Sequence, residues 1–425
     1  LYTRICPKVF LALNYHFWYN AIKKNIHIRA LDEMSRRSLM SKSINVGMIG
    51  YKFMGKAHSH AYRDVAMFFE TETIPAMKVI CGRTEQALAE AAKRFGWKSY
   101  ETSWEKLVQR DDIDLIDINT PNNIHRDIAV AAAKAGKAII CEKPLAKNLS
   151  EAEEMLNEVE KAGVKHMICF NYRKVPALAL ARELIQNNEL GKIYHFRAQY
   201  LQDWITDPEF PLVWRLKKEL SGTGANGDLN SHVIDLARFL VGEISQVIGM
   251  QETFITQRPE LKIGKELTTD LTAQSKKEMG EVTVDDATLF LARFTNGALG
   301  SFEATRFANG RRNGLRLEIN GSKGSLMFEQ ENMNELWLYS CQDPKGIQGF
   351  KRIQVNEAEH PYINAWWPPG HIIGYEHTFV HVVYDFLKAI DENKMPSPNF
   401  RDGVECQKVL EAVEKSAKEE RWMKI

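Results

Sequence analysis

The chain has 425 residues, 44% of them apolar and 26% charged, and 56 basic against 55 acidic side chains leave a net charge of +1. That balance excludes a polyelectrolyte tail and gives no support to a nucleic-acid or acidic-membrane partner. The apolar share excludes disorder, and the length implies two domains or three at roughly 100–200 residues each.

Residues 1–42 hold eight Lys or Arg and two Asp or Glu, so the remainder is mildly acidic. The first residue is Leu1, and the apolar stretch Val9–Ile22 is broken by Asn14, His16 and Asn20. That makes a poor signal peptide. Residues 1–40 are therefore read as a leader outside the fold, with Met34 or Met40 as the natural start. No stretch reaches the ~18 consecutive apolar residues of a membrane span. Six cysteines (Cys6, Cys81, Cys141, Cys169, Cys341, Cys406) stand singly, without C-x-x-C spacing. This argues for reduced thiols, a cytoplasmic protein and no zinc ribbon; no metal site is expected.

From Ser43 onward, short apolar runs alternate with helical patterns. Strands are predicted at Ile44–Ile49, Ala76–Cys81, Ile113–Ile118, Ala138–Cys141 and His166–Phe170. Helices fall between them, around Ala57–Val65 and over Thr84–Phe95, Asn122–Ala135 and the stretch opened by the capping box at Ser150–Glu153. This rhythm implies a parallel sheet over residues 41–168. Past Asn171 the pattern changes. A helix at Ala177–Gln186 precedes period-2 strands at Ile193–Leu201, Val247–Thr256, Ala287–Phe294, Gly300–Phe307, Leu315–Ile319, Ser325–Glu329 and Glu335–Tyr339. The turns Thr295-Asn296-Gly297, Asn309-Gly310 and Asn320-Gly321 read as hairpins, so the sheet of residues 169–425 is largely antiparallel. A helix from about Gly403 to Glu420 closes the chain.

The first strand runs into Gly50-Tyr51-Lys52-Phe53-Met54-Gly55. Against G-x-G-x-x-G, Gly50 supplies the tight turn and Gly55 the close helix–strand contact, while Lys52 replaces the glycine that lets backbone approach a pyrophosphate. Lys52 either holds the backbone back or meets phosphate with its ammonium. The second strand ends Cys81-Gly82-Arg83, without the carboxylate that binds a ribose 2′-hydroxyl. Gly82 leaves room there. Arg83 either pairs with a 2′-phosphate or stacks on adenine, so the cofactor is NAD or NADP.

Cys141-Glu142-Lys143-Pro144, a strand ending in Glu-Lys-Pro, resembles the glucose–fructose oxidoreductase / inositol dehydrogenase (Gfo/Idh/MocA) family. Asn119-Thr120-Pro121-Asn122 with His125 is similar to that family's cofactor loop, and Gly227–Asp235 to its D-x-x-x-H helix. The resemblance covers residues 44–425 and implies an α/β chain. Its N-terminal part is a Rossmann doubly wound parallel sheet. An α/β domain with a large open, mainly antiparallel sheet follows, and it commonly packs on another subunit as a homodimer or homotetramer. Gly50–Met54, Gly82, Arg83, Asn119–Asn122, His125, Glu142 and Lys143 are the expected cofactor residues. Tyr200–Trp204, Trp214-Arg215 and Ala365–His371 are most similar to the anhydrosugar (levoglucosan) dehydrogenase branch.

Lys143 sits at the carboxyl end of a sheet strand, where ligands bind in open α/β sheets. Asp228, His232 and Asp235 follow i, i+4, i+7 spacing and share one helix face. Asp228 beside His232 is expected to orient the imidazole and raise its basicity. The resemblance implies that Lys143 holds the substrate hydroxyl and assists proton transfer, that His232 is the general acid/base, and that Asp228 orients it and contacts substrate. It also places Tyr172 and Arg173 near the substrate. Trp204, Trp214, Trp366 and Trp367 either stack on sugar C–H faces or pack in a core. The expected activity is hydride transfer between the carbinol carbon of a cyclic sugar, anhydrosugar or polyol and nicotinamide. A non-catalytic dinucleotide-binding regulator and a redox-cycling NAD-dependent glycosidase are the alternatives.

Overall fold

The structure, a computed structural model, describes residues 42–261 and 275–425; the leader lies outside the described residues. The first sheet contains β1 (Lys42–Ile49), β2 (Thr73–Cys81), β3 (Ser99–Glu101), β4 (Leu115–Ile118), β5 (Ala138–Cys141) and β6 (His166–Ile168). All pairs are parallel, in the order 3-2-1-4-5-6. The crossovers are α1 (Phe53–Phe68), α2 (Glu85–Phe95), α3 (Trp104–Val108), α4 (His125–Lys134) and α5 (Leu149–Ala162). Parallel strands are covered on both faces; accordingly all four residues of β4 are buried. The strand order reverses between β1 and β4, and that crevice is where ligands enter doubly wound sheets.

The cap of α5 differs from the sequence expectation. Asn148, not Ser150, caps it, its side chain accepting the Glu151 N–H at 2.9 Å.

The second sheet begins after α6 (Pro176–Gln186) with β7 (Ile193–Leu201). Helix α7 (Ser231–Leu240) follows, then β8 (Ile244–Glu252), the separate ribbon β9 (Gln257–Leu261) with β10 (Ser275–Glu281), and β11 (Ala287–Phe294) to β12 (Leu299–Thr305). The remaining strands are β13 (Gly314–Gly321), β14 (Gly324–Glu329), β15 (Glu335–Ser340), β16 (Lys351–Gln354) and β17 (Met423–Lys424). The order is 16-15-14-13-7-12-11-8-17, antiparallel except for the pair β7 and β12. The turn Asn309-Gly310 is therefore not a hairpin: β7 lies between β12 and β13, and the turn belongs to a crossing connection.

Two helices close the chain, α8 (Tyr375–Asp391) and α9 (Phe400–Glu419). Helix α8 returns to the first sheet. Its buried Phe379, Val383 and Phe386 join Met48, Val65 and Ile80 in one apolar cluster against α1. Helix α9 packs between α5 and β8. The chain thus crosses between the two sheets more than once, and the loops after β4 and β5 meet Ser221 and Asp228, from the segment between β7 and α7.

Candidate active site

Glycine geometry explains the phosphate loop. Gly50 has a φ of +108°, and a Cβ there would stand 2.3 Å from the Asn119 carbonyl oxygen. A Cβ on Gly55 would stand 2.1 Å from the carbonyl oxygen of Gly50. Lys52 has a φ of −80°, ordinary for any L residue, so no glycine is required there. It is the N-cap of α1 and makes no side-chain cap, which leaves the first amides of the helix directed at an incoming anion. Phe53 is exposed and stacks on Tyr375 with centroids 6.2 Å apart, and Met54 is half-buried beside it. Gly82 makes room for the Tyr51 ring, whose Cε1 would lie 2.3 Å from an added Cβ. Arg83 is exposed at the end of β2.

The loop after β4 offers unmet polar atoms. Asn119 donates Nδ2 to Asp117 Oδ1 at 2.9 Å, but its own Oδ1 is buried without a partner, as is Thr120 Oγ1. Orphaned buried polar atoms carry a cost until something pairs with them. Beside an uncapped helix N-terminus they fit the ribose and phosphates of a dinucleotide. Three of the expected cofactor residues instead build the floor. His125 is fully buried and spans the Thr120 carbonyl at 2.9 Å and the Pro144 and Leu145 carbonyls at 3.2 and 3.3 Å, tying the loops after β4 and β5 together. Asn122, which follows Pro121, donates Nδ2 to the Ser221 carbonyl at 2.8 Å. Glu142 is buried and has both carboxylate oxygens engaged inside the protein.

Lys143, Asp228 and His232 are brought together, though not as the helical spacing implies. Residues Asn226–Asn230 form a π-helical turn ahead of α7, which rotates Asp228 relative to His232. The Asp228 carboxylate turns to cations. Lys143 Nζ donates to its Oδ1 at 3.0 Å and to its carbonyl at 2.9 Å, and Arg306 Nη2 donates to its Oδ2 at 2.8 Å. Burial raises the Asp228 carboxyl, but Lys143, Arg306 and Arg215 overcome it and hold the group far below the carboxylate range. Asp228 thus orients the lysine, a correction to the expectation that it orients His232.

His232 is buried, its ring 4.3 Å from that of Tyr172, and its Nδ1 has no partner. Burial, then the charge of Lys143, pushes it well below 6.5 against the opposite pull of Asp228. The imidazole is neutral at ordinary pH and can accept a proton. Asp228 raises its basicity, as expected, but burial and Lys143 lower it by more. Tyr172 shares a 2.8 Å hydrogen bond with Tyr200, whose hydroxyl lies 2.7 Å from Asn313 Oδ1.

Arg173 and Asp235 do not belong to this group. They form a buried two-pronged ion pair at 2.6 and 2.8 Å, and Arg173 also donates to Asp402 at 3.0 Å. The Arg173 guanidinium is consumed in joining α7 to α9. Trp204 lies by the site, with Arg306 5.3 Å from its ring centroid, and Arg215 sits 4.4 Å from the Trp214 ring centroid. Trp366 packs instead against Phe68 at the end of α1 and Phe69 just beyond it and donates to His381 at 2.8 Å, while Trp367 is half exposed.

The group missed by sequence reasoning is Arg306, just past β12 and only 1% exposed. The sequence carried no signal for it: the pairing of Arg306 with Asp228, 78 residues earlier, is made by the fold. Three cations, Lys143, Arg306 and Arg215, act on the Asp228 carboxylate.

Residues 44–170 match the family model of the NAD-binding Rossmann-fold oxidoreductases, and residues 178–327 match the GFO/IDH/MocA C-terminal domain. The chain belongs to the Gfo/Idh/MocA oxidoreductase family. A levoglucosan dehydrogenase of Pseudarthrobacter phenanthrenivorans is 43% identical over 386 residues, covering 90% of this chain and 98% of its own. Two solved structures each superpose with a TM-score of 0.85 over 90% of this chain and 99% of theirs. One is an oxidoreductase domain protein of Kribbella flavida, at 48% identity. The other is a levoglucosan dehydrogenase in complex with NADH and levoglucosan, at 42% identity. The fold class is the one the resemblance implied, a parallel Rossmann sheet followed by a large, mainly antiparallel one, and the protein is an NAD-binding oxidoreductase. Among the described residues, no helix is long and apolar enough to cross a membrane.

Proposed function

We propose that this protein is an NAD(P)-dependent dehydrogenase that oxidises a carbinol carbon of a cyclic sugar, with an anhydrosugar of the levoglucosan type as the first candidate and polyols next. The observation that carries this is the meeting of Lys143, anchored by Asp228, with a neutral imidazole at His232 whose Nδ1 has no partner. The bound nicotinamide supplies the hydride acceptor. Lys143 holds the substrate hydroxyl. His232 accepts its proton, and the positive charge of Lys143, Arg215 and Arg306 lowers the cost of the oxyanion that develops as the proton leaves. Trp204 and Trp214 offer flat apolar faces to the sugar ring. The unpaired thiols among the described residues suit a reducing cytoplasm. Exposed Met250, Leu289, Leu291 and Leu299, on one face of the second sheet, suit contact with another copy of the chain, giving a homodimer or homotetramer.

The test is initial-rate measurement at 340 nm on a panel of sugars and polyols with NAD and with NADP. Lys143→Ala and His232→Ala should each reduce turnover by roughly 10²–10⁴-fold while cofactor affinity changes far less. Dinucleotide binding without turnover on any panel member would favour the regulator. Sugar cleavage without accumulating NADH or NADPH would favour the redox-cycling glycosidase.

A further inference from the structure

A chain of buried charges that hydride transfer does not itself use stands directly behind Lys143. Glu142 Oε2 accepts the backbone N–H of Lys143 at 3.0 Å. Glu142 Oε1 lies 3.0 Å from His58 Nε2, and His58 Nδ1 lies 2.8 Å from Asp117 Oδ2. His58 belongs to α1, Asp117 to β4, and Glu142 follows β5, so two strands of the first sheet each bring a carboxylate to an imidazole on the helix that covers them. All three side chains are buried. An ionised carboxylate can only accept. An imidazole with a carboxylate oxygen at each nitrogen must therefore carry hydrogen on both, which makes His58 an imidazolium between two anions. Burial opposes that charge, but the facing Asp117 carboxylate outweighs it and pushes His58 well above its ordinary value. Cys169 Sγ, 3.7 Å from Nε2, and the Phe379 ring, 5.3 Å away, complete the surroundings.

We propose that His58 and Glu142 are positioning residues for Lys143. The imidazolium fixes the Glu142 carboxylate, the carboxylate fixes the Lys143 amide, and the direction in which the lysine leaves β5 is set so that its ammonium reaches Asp228. Both side chains are buried, and among the described residues their hydrogen bonds go to Asp117, Cys169, the Lys143 amide and each other. The inference rests on the reading of Lys143 given above. His58 Nε2, Glu142 and Cys169 also lie within 4.8 Å of one another, a spacing open to a metal ion. Here that spacing is accounted for by hydrogen bonds, and the second carboxylate on Nδ1 completes the imidazolium.

The experiment compares Glu142→Ala, Glu142→Gln and Lys143→Ala by kcat, KM for the sugar and NADH affinity. Glu142→Ala should lower kcat by roughly 10–100-fold, the scale of a misplacement of about 1 Å, with smaller changes in KM and NADH affinity. Glu142→Gln keeps an oxygen for the Lys143 amide and can donate its NH₂ to a neutral His58, so it should restore most of the turnover. A merely structural carboxylate would lower the melting temperature without this split and rescue. Since Glu142→Ala is at risk of misfolding, ¹⁵N-histidine NMR of the unaltered protein at about pH 8, above the ordinary His pKa, provides a second reading. One imidazolium should persist there, and it should be absent from His58→Gln. Wild-type kcat in folded Glu142→Ala, equal damage in Glu142→Gln, a neutral His58, or stoichiometric zinc in the purified protein would each overturn the proposal. Full turnover in Lys143→Ala would instead overturn the reading on which it rests.

Discussion

Replacing Asp228 by Asn separates the two roles open to this residue. The amide keeps the shape and one acceptor oxygen but removes the negative charge shared by Lys143 and Arg306, which contact it at 3.0 and 2.8 Å. With charge centres about 4 Å apart and an effective dielectric near 20, each lost attraction is about 4 kcal/mol gross. Desolvating Asp228 offsets much of that, and its side chain keeps 26% exposure. The net loss therefore lies at the low end of what breaking a buried pair costs, about 3 kcal/mol. If the lysine is held for the transition state, this corresponds to roughly 10²-fold in kcat/KM.

The assay is NADH formation at 340 nm against sugar concentration, with NADH affinity measured separately by fluorescence. Affinity should change little, because the Gly50–Gly55 and Asn119–Thr120 loops are untouched. The pH dependence supplies the sign. Asp228 pulls the His232 pKa upward against burial and Lys143. Without it, the acid limb of oxidation that reports His232 protonation should move to still lower pH. Near-normal kcat/KM in Asp228→Asn, or a limb that moves upward, would refute the assignment of Asp228 to the lysine.

Three further outcomes are expected. In the wild-type enzyme, the proton-accepting form of His232 is already complete at neutral pH. The oxidation rate should show no limb near the ordinary His value that disappears in His232→Ala, and finding one would return the imidazole to an unperturbed environment. Arg83→Ala should weaken NADP by about tenfold, the scale of a charge-assisted contact of roughly 1.5–3 kcal/mol, and NAD by less; equal losses, measured by titration of both cofactors, would assign Arg83 to adenine stacking. Leu291→Asp on the outer sheet face should lower the molar mass seen by light scattering, and an unchanged mass would remove that face from the subunit contact.

Five strands of the first sheet were legible because each is a short apolar run bounded by a turn, and parallel strands buried on both faces leave that pattern in the chain; the edge strand β3, three largely exposed residues Ser99–Glu101, carries no such run and was missed. What stayed hidden were connections decided at long range. Helix α8 carries Val380, Val382 and Val383 in close succession, a β-branched cluster that obscures helical periodicity. Its partner, α1, lies some 300 residues earlier. Asn309-Gly310 has turn chemistry, but whether a turn joins neighbours depends on which strand occupies the space between. Here β7, laid down a hundred residues before, fills it.

At the site, residue types were legible and partners were not. Spacing put Asp228 and His232 on one face because it assumed 3.6 residues per turn, and a π-helical turn removes that premise. Arg173 looked like a cleft residue because it follows the last strand of the first sheet. Asp235 and Asp402 capture it, and the second of these comes from the far end of the chain. The common cause is counter-charge. A buried charge takes its partner from wherever the fold brings one, and the energy at stake exceeds any local preference. That is why Glu142, read as a cofactor ligand from its place beside Lys143, is instead fixed from beneath by His58. It is also why the lysine's orientation depends on α1 and β4, elements that a reading confined to the Glu-Lys-Pro segment never consults.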